Sequence, residues 1–195
     1  MDSLRQCILT AAEAVDGARD ELGRLDAAAG DGDHGVTMSL AARAVRKAVD
    51  DAPEAAPADL LMKVAMALGS VGGASGPVYA SGVIAVAGAV RAGEDSPLAC
   101  AEAAEDAIAK LGHAKPGDKT ILDALHPAVE ALRAGGDLRA AARAAREGAE
   151  STAQMVATVG RASRLGERSR GTADPGATSL AIILEALARC KQTEP

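Results

Sequence analysis

The sequence contains almost no aromatic residues, and this absence constrains its core. Of the 195 residues none is Trp or Phe, and the one tyrosine is Tyr79. The core must therefore be aliphatic. Abundant Ala, Leu, Arg and Glu, which lose little side-chain freedom in a helix, predict an all-α protein. A chain of this length fits a single domain, residues 1–195, with one core.

A membrane-spanning run and a basic surface are also missing. The most apolar stretch, GVIAVAGAV at 82–90, is about half the ~20 residues that a spanning helix needs. The charged N-terminal stretch lacks the apolar segment of a signal peptide. A net charge of -6 argues against a surface that neutralises phosphates. We therefore expect no membrane or nucleic-acid partner and a cytoplasmic location.

Cysteine is scarce, with only Cys7, Cys100 and Cys190. An odd number of widely spaced cysteines in helical surroundings favours reduced thiols in a cytosol over a disulfide framework or a zinc site.

Helical periodicity predicts eight helices and no strand. Apolar residues recur every three or four positions from Leu4 to Leu22, and the later helices are expected at about 35–50, 58–71, 75–91, 97–112, 121–134, 137 to the late 150s, and 177–190. We therefore expect a single helical bundle or barrel. The longest irregular segment, 160–176, has a length typical of functional or disordered loops.

The stretch LDAAAGDGDHG at 25–35 carries Asp26, Asp31 and Asp33 between glycines. Carboxylates are ligands for Mg²⁺ or Ca²⁺, and the glycines let the backbone bring them together, although the spacing is not that of an EF-hand. A turn whose aspartates only cap a helix is the alternative.

Two further regions fit a phosphorylated ligand. GGASG at 72–76 precedes an apolar helix, whose N-terminal N–H groups attract phosphate. A simple turn stays an alternative, since no GK[ST] follows. The loops 112–120 and 160–179 offer Arg161 and Asp174 for a phosphate and a ribose or base edge, with a solvated loop as the alternative. With no hydrolytic triad evident, the residues alone indicate metal-dependent phosphoryl transfer.

Four motifs, LDAAAGDGDHG, GGASGPVY, KPGDKTILDAL and GRASRLGERSRGTADPGATS, follow one another between residues 4 and 190. Together they closely resemble the L subunit of dihydroxyacetone kinase (DhaL), which is also the C-terminal domain of single-chain ATP-dependent dihydroxyacetone kinases. The resemblance implies an eight-helix barrel with nucleotide-binding loops at one end. Asp26, Asp31 and Asp33 match the ligands of two Mg²⁺ ions. The positions that match contacts to ADP or ATP are His34, Gly35, Val36, Thr37, Ala74, Ser75, Gly112, Ile121, Arg161, Asp174, Pro175 and Gly176.

The resemblance also implies how such a chain works. The ketose is bound covalently to a histidine of a separate K subunit, and the L subunit only delivers the γ-phosphoryl group. No catalytic residue is therefore expected here beyond the metal and nucleotide ligands. The chain should be inactive alone, and its acid-loop face should dock the K subunit.

Three functions stay open within this resemblance. ADP could stay bound as a cofactor that a phosphohistidine-carrying M subunit of a phosphotransferase system recharges. The chain could instead belong to a split ATP-dependent kinase for a ketose such as erythrulose. A regulatory module that binds a transcription regulator is the non-enzyme alternative, and a homodimer is open. Thr37, Arg164, Arg170 and Thr172 depart from residues common in the family. Thr37 can keep a polar contact, whereas the other three leave the shape of the adenine-binding loop open. An aliphatic barrel could also enclose a lipid.

Overall fold

The computed structural model describes residues 2–190, and this part of the chain contains nine α-helices and no β-strand. The helices are α1 Asp2–Gly17, α2 Arg19–Ala29, α3 His34–Asp50, α4 Pro57–Gly69, α5 Ser75–Arg91, α6 Pro97–Gly112, α7 Leu122–Arg133, α8 Leu138–Ser151 and α9 Pro175–Cys190. Short 3₁₀ helices span Thr152–Gln154 and Arg161–Ser169. The predicted all-α class is confirmed. None of the helices in 2–190 is long and apolar enough to cross a bilayer.

Eight of the helices form a closed ring. Each helix from α3 to α9 packs against the next, α9 packs against α1, and α1 packs against α3. The remaining helix, α2, packs against α3, α9 and the second 3₁₀ helix. The connections between successive helices from α2 to α8 are short, so the ends of these helices alternate between the two ends of the ring, whereas the longer segment 152–174 joins α8 to α9. The connections after α2, α4, α6 and α8 therefore share one end.

The structure divides the first predicted helix into α1 and α2. The expected helix ran unbroken from about 4 to 22, but Ala18, with φ -90° and ψ 7°, separates the two. The break lies beside Gly17, a residue type that weakens helices. Helix α1 runs antiparallel to α3, since Arg5 Nη1 donates to the carbonyl of Val49 and Ser39 Oγ donates to Asp16. Helix α2 continues along the start of α3, where Gly35 lies against the carbonyl oxygen of Arg19. The ninth helix arises from this break.

The chain after α8 also differs from expectation. The helix predicted to reach the late 150s ends at Ser151 and passes into a 3₁₀ turn. Thr152 Oγ1 bonds to the carbonyl of Ala149 and accepts the N–H of Asp174, which draws the chain toward the start of α9. The segment 160–176, expected to be irregular, holds the second 3₁₀ helix, which Gly166 interrupts at φ 54°.

The core is aliphatic, as the composition predicted. Its largest fully buried apolar side chains are Leu22, Leu60, Leu122 and Val129. Alanines fill many of the remaining core positions, and their small size lets the helices approach closely. Tyr79, the single aromatic residue, is buried with them.

The prediction that all three cysteines are reduced is wrong. Cys7 in α1 and Cys190 at the end of α9 form a disulfide, with their Cα atoms 5.3 Å apart. The closed ring makes the two helices neighbours, which brings the cysteines within bonding distance despite a separation of 183 positions. Spacing along the chain carries no sign of this proximity. The expected cytoplasmic location rested partly on reduced thiols, and that support is removed.

Candidate functional site

Three carboxylates converge where α2 ends and α3 begins. Asp26, Asp31 and Asp33 each offer an oxygen, and these atoms all lie within 4.8 Å of one another. Two glycines make the convergence possible. Gly32 adopts φ 79°, and a Cβ at Gly30 would lie only 2.6 Å from Asp26 Oδ1. We call residues 26–34 the acid loop.

Neighbouring groups balance the charge of the acid loop. The Arg161 guanidinium donates to Asp31, and its Nη2 lies 3.4 Å from Asp33 Oδ1. The backbone N–H of His34 donates to Asp26 Oδ2 at 3.2 Å. Asp31 and Asp33 are about half exposed, so an ion can reach them from solvent. Converging, accessible carboxylate oxygens are the donor set that Mg²⁺ prefers, and the residues therefore fit this ion.

The buried imidazole of His34 joins the acid loop to two other elements. Nδ1 lies 3.1 Å from Ser75 Oγ at the start of α5, and Nε2 lies 3.0 Å from Ser179 Oγ in α9. Burial lowers the pKa of His34, which favours the neutral ring at neutral pH. Ser179 Oγ also bonds to Tyr79 Oη at 2.7 Å.

The glycine-rich turn before α5 lies beside the acid loop. Gly73 adopts φ 84°, and a Cβ on it would lie 3.9 Å from Thr37 Cγ2. A Cβ at Gly76 would lie 2.5 Å from the carbonyl oxygen of Val71, so the turn is closed to larger residues. Among the described residues no side chain caps α5 at Ala74. The first N–H groups of this helix are therefore available to an anion.

Most of the other predicted nucleotide contacts lie at this same end. A Cβ on Gly176 would lie 3.9 Å from Cβ of buried Ile121. Asp174 caps α9 by accepting the N–H of Ala177 at 2.8 Å, and Pro175 is the first residue of that helix. Gly35 is buried against α2, and a Cβ at this position would lie 2.0 Å from the carbonyl oxygen of Arg19, so only glycine fits there. Val36 and Gly112 are exposed and lie outside this network.

Asp174 has an unusual electrostatic setting. Burial raises its pKa to about 6, and the nearby Asp123 carboxylate acts in the same direction. The backbone N–H of Ala177 and the Lys119 ammonium act against this rise.

Sequence reasoning missed the residues that hold the loops in place. Asp123 accepts the N–H groups of Gly117 and Thr120, both within 2.7 Å. Asp118 accepts from Lys115 and Thr158, and these bonds lower its pKa to about 2. Lys119 is buried and bonds to four backbone carbonyls.

For Asp118 and Asp123 a signal was present in the stretch KPGDKTILDAL. Both lie near the start of an apolar helix, where aspartate side chains often bond to nearby backbone groups. Nothing in the spacing indicated Ser179 or Tyr79, because their partners come from distant parts of the chain.

The fold and the site together define an all-α barrel protein with a candidate divalent-cation site and an uncapped helix start, available to an anion, at one end. The profile of the DAK2 domain matches residues 28–189, and the chain belongs to this family.

Relatives of two lengths resemble the chain. The "PEP-dependent dihydroxyacetone kinase, ADP-binding subunit DhaL" of Escherichia coli is 39% identical, over 84% of this chain and 84% of its own length. The "L-erythrulose 1-kinase" of Mycolicibacterium smegmatis is 45% identical over 86% of this chain, and the human "Triokinase/FMN cyclase" is 39% identical over 91%. The chain spans only about a third of these two longer relatives.

Solved structures agree with this assignment. The dihydroxyacetone kinase of C. freundii in its native form matches 97% of this chain and 34% of its own, with a TM-score of 0.80 and 28% identity. The same enzyme in complex with AMP-PNP and Mg²⁺ matches with a TM-score of 0.79 and 27% identity.

Proposed function

We propose that residues 1–195 form the nucleotide- and Mg²⁺-binding domain of a dihydroxyacetone-type kinase, which passes the γ-phosphoryl group of its nucleotide to dihydroxyacetone on a separate K subunit. The observation that carries this proposal is the convergence of the three acid-loop carboxylates within 4.8 Å beside an uncapped helix start. The similarity to an ADP-binding subunit over 84% of both chains supports it.

In this proposal Asp26, Asp31 and Asp33 hold Mg²⁺, two ions by resemblance to the family. The bound ions supply neutralisation of the charge on the phosphates. Phosphoryl transfer depends mainly on positioning and charge stabilisation, so the chain needs no covalent nucleophile of its own.

The other residues bind and orient the nucleotide. The N–H groups at Ala74 and Ser75 bind phosphate oxygens, and His34 fixes this turn against the acid loop. Arg161 lies next to Asp31 and is placed to contact a phosphate at the same point. Ile121 and Gly176 form one wall of the base pocket.

We favour bound ADP, recharged in place by a phosphohistidine-carrying M subunit. Support comes from the ADP-binding subunit of E. coli, whose name contains "PEP-dependent" and whose length the chain nearly spans. The alternative is a component of an ATP-dependent kinase for erythrulose or a related ketose. The 45% identity to the erythrulose kinase favours it, but that protein is about three times longer than the matched part. A regulatory module bound to a transcription regulator, and a homodimer, are further hypotheses.

We also propose that the chain acts in the cytoplasm, where its nucleotide is available. The Cys7–Cys190 disulfide is the observation against this location, because disulfides are rare in cytosolic proteins.

The test starts from wild-type protein purified with Mg²⁺. The protein is denatured before and after overnight dialysis against nucleotide-free buffer, and any released nucleotide is identified by chromatography. Stoichiometric ADP that survives dialysis supports the cofactor form, and reversible ATP binding supports the ATP-dependent kinase. Absence of any nucleotide binding would contradict the proposal. Phosphorylation of dihydroxyacetone and of erythrulose is then assayed with and without a K subunit, and activity is expected only with it.

A further inference from the structure

The Lys119 side chain is buried at 3% exposure and its ammonium is surrounded by backbone oxygens. Nζ lies 2.6 Å from the carbonyl oxygen of Ser169, 2.7 Å from that of Thr172 and 2.9 Å from that of Thr152, and the carbonyl of Met155 is more distant at 3.4 Å. An ammonium has three protons, so the three short contacts use its full donor capacity.

A buried ammonium is costly unless it is fully bonded. None of the ion pairs within residues 2–190 includes Lys119, so carbonyl oxygens take the place of a carboxylate partner. The backbone of Lys119 is itself in the left-handed region, at φ 62°, which is unusual for a residue other than glycine. Asp118 and Asp123 hold the flanking backbone in that conformation.

The four acceptors lie in two segments, one at each end of the connection between α8 and α9. Thr152 and Met155 follow α8, whereas Ser169 and Thr172 precede α9. The chain between them carries Arg161. Lys119 therefore closes the base of a long loop, residues 152–172, whose two ends also meet through the N–H of Gly171 and the carbonyl of Ala153.

We propose that Lys119 is a positioning residue, which holds the two ends of the 152–172 loop together and so places Arg161 and the start of α9 at the nucleotide. The part of this inference that concerns the nucleotide rests on the proposed function. The part that concerns the loop does not.

The test compares Lys119→Met with Lys63→Met. Methionine has a similar length and removes every donor, and Lys63 is an exposed lysine on α4 that serves as the matched control. Hydrogen exchange measured by mass spectrometry on the full chain reports the loop, and titration calorimetry with ADP and Mg²⁺ reports the nucleotide.

For Lys119→Met we expect at least tenfold faster exchange in 152–172 with unchanged exchange in α4, and at least tenfold weaker ADP binding. The Lys63→Met variant should match the wild type in both. A lysine that only adds global stability would speed exchange in α4 as well and would leave ADP affinity unchanged below the melting temperature, so that outcome overturns the proposal.

If Lys119→Met does not fold, Lys119→Arg takes its place, because a guanidinium is too large to keep all the short contacts. Faster exchange in 152–172 and weaker ADP binding are then expected again, each by a smaller factor. Wild-type exchange in the loop of a folded variant overturns the proposal, and so does failure of both variants to fold, since Lys119 would then determine folding itself. If the wild type binds no ADP, the proposed function fails, while the exchange of the loop still decides this inference.

Discussion

His34 and Ser179 stand 145 positions apart in the sequence, and a 3.0 Å hydrogen bond joins His34 Nε2 to Ser179 Oγ. The other ring nitrogen bonds to Ser75, so one imidazole connects the acid loop, the glycine-rich turn and α9. The relative position of these elements therefore depends on a small buried polar network.

Ser179→Ala should lower the free energy of unfolding by about 1–3 kcal/mol, because it leaves a buried nitrogen of His34 without its partner. Urea denaturation measures this change. Ser151→Ala is the control, since that hydroxyl is exposed and bonds only to the carbonyl of Gly148 in its own helix. Equal stability of the two variants would show that the network contributes little.

Asp31→Asn should weaken Mg²⁺-dependent ADP binding at least tenfold, about 1.4 kcal/mol, because the amide is a poorer ligand for this ion. Stability should change by less than about 1 kcal/mol, since the ion pair that is lost lies in half-exposed surroundings. Titration calorimetry measures the affinity, with Asp106→Asn on the exposed face of α6 as the control. Wild-type affinity in Asp31→Asn would mean that the carboxylates do not hold the metal.

Asp174 should make the folded state less stable as the pH rises from 4 to 7. Its pKa is about 6 in the folded protein and about 3.9 in an unfolded chain, so the folded state keeps a proton that the unfolded state has lost. The stabilisation is complete below pH 4 and disappears as the pH passes 6. The total change is about 3 kcal/mol.

Asp174→Asn keeps a helix-capping side chain and removes this titration. The stability of the variant relative to wild type should therefore rise by up to about 3 kcal/mol between pH 4 and pH 7, measured by urea denaturation at each pH. The lowered pKa of His34 acts in the opposite direction, but it acts in both proteins and cancels in the difference. A difference that stays constant with pH would contradict the assignment.

Reduction of the Cys7–Cys190 disulfide should lower the free energy of unfolding by about 2–4 kcal/mol. ADP affinity should change less than twofold, because Cys190 lies at the far end of α9 from Pro175, about 22 Å away at 1.5 Å per residue. Denaturation with and without dithiothreitol measures the effect, and Cys7→Ser should not respond to the reductant. A non-reducing peptide map without the cross-link would show that the two cysteines are not joined.

Sequence reasoning could predict the features that local chemistry determines. The helices from α3 to α7 lie close to the expected positions because their apolar periodicity and their Pro and Gly boundaries agree. Asp26, Asp31 and Asp33 were identifiable as a cluster because eight consecutive positions hold all three.

The remaining features depend on contacts between distant residues. The break at Ala18 has only the weak signal of one glycine, and the Cys7–Cys190 pair depends on closure of the ring. The role of Lys119 could not be predicted either, because its partners are backbone carbonyls, which every residue type carries.

The burial of Tyr79 beside the candidate site gives the protein a built-in optical probe. The chain has no tryptophan and no other tyrosine, so its intrinsic fluorescence comes from one phenol, whose hydroxyl bonds to Ser179 and thereby contacts the His34 network. Emission from this ring reports on its immediate surroundings without any label. Rearrangement of the acid loop or of the start of α9 is therefore observable in the unmodified protein, with no contribution from emitters elsewhere in the barrel.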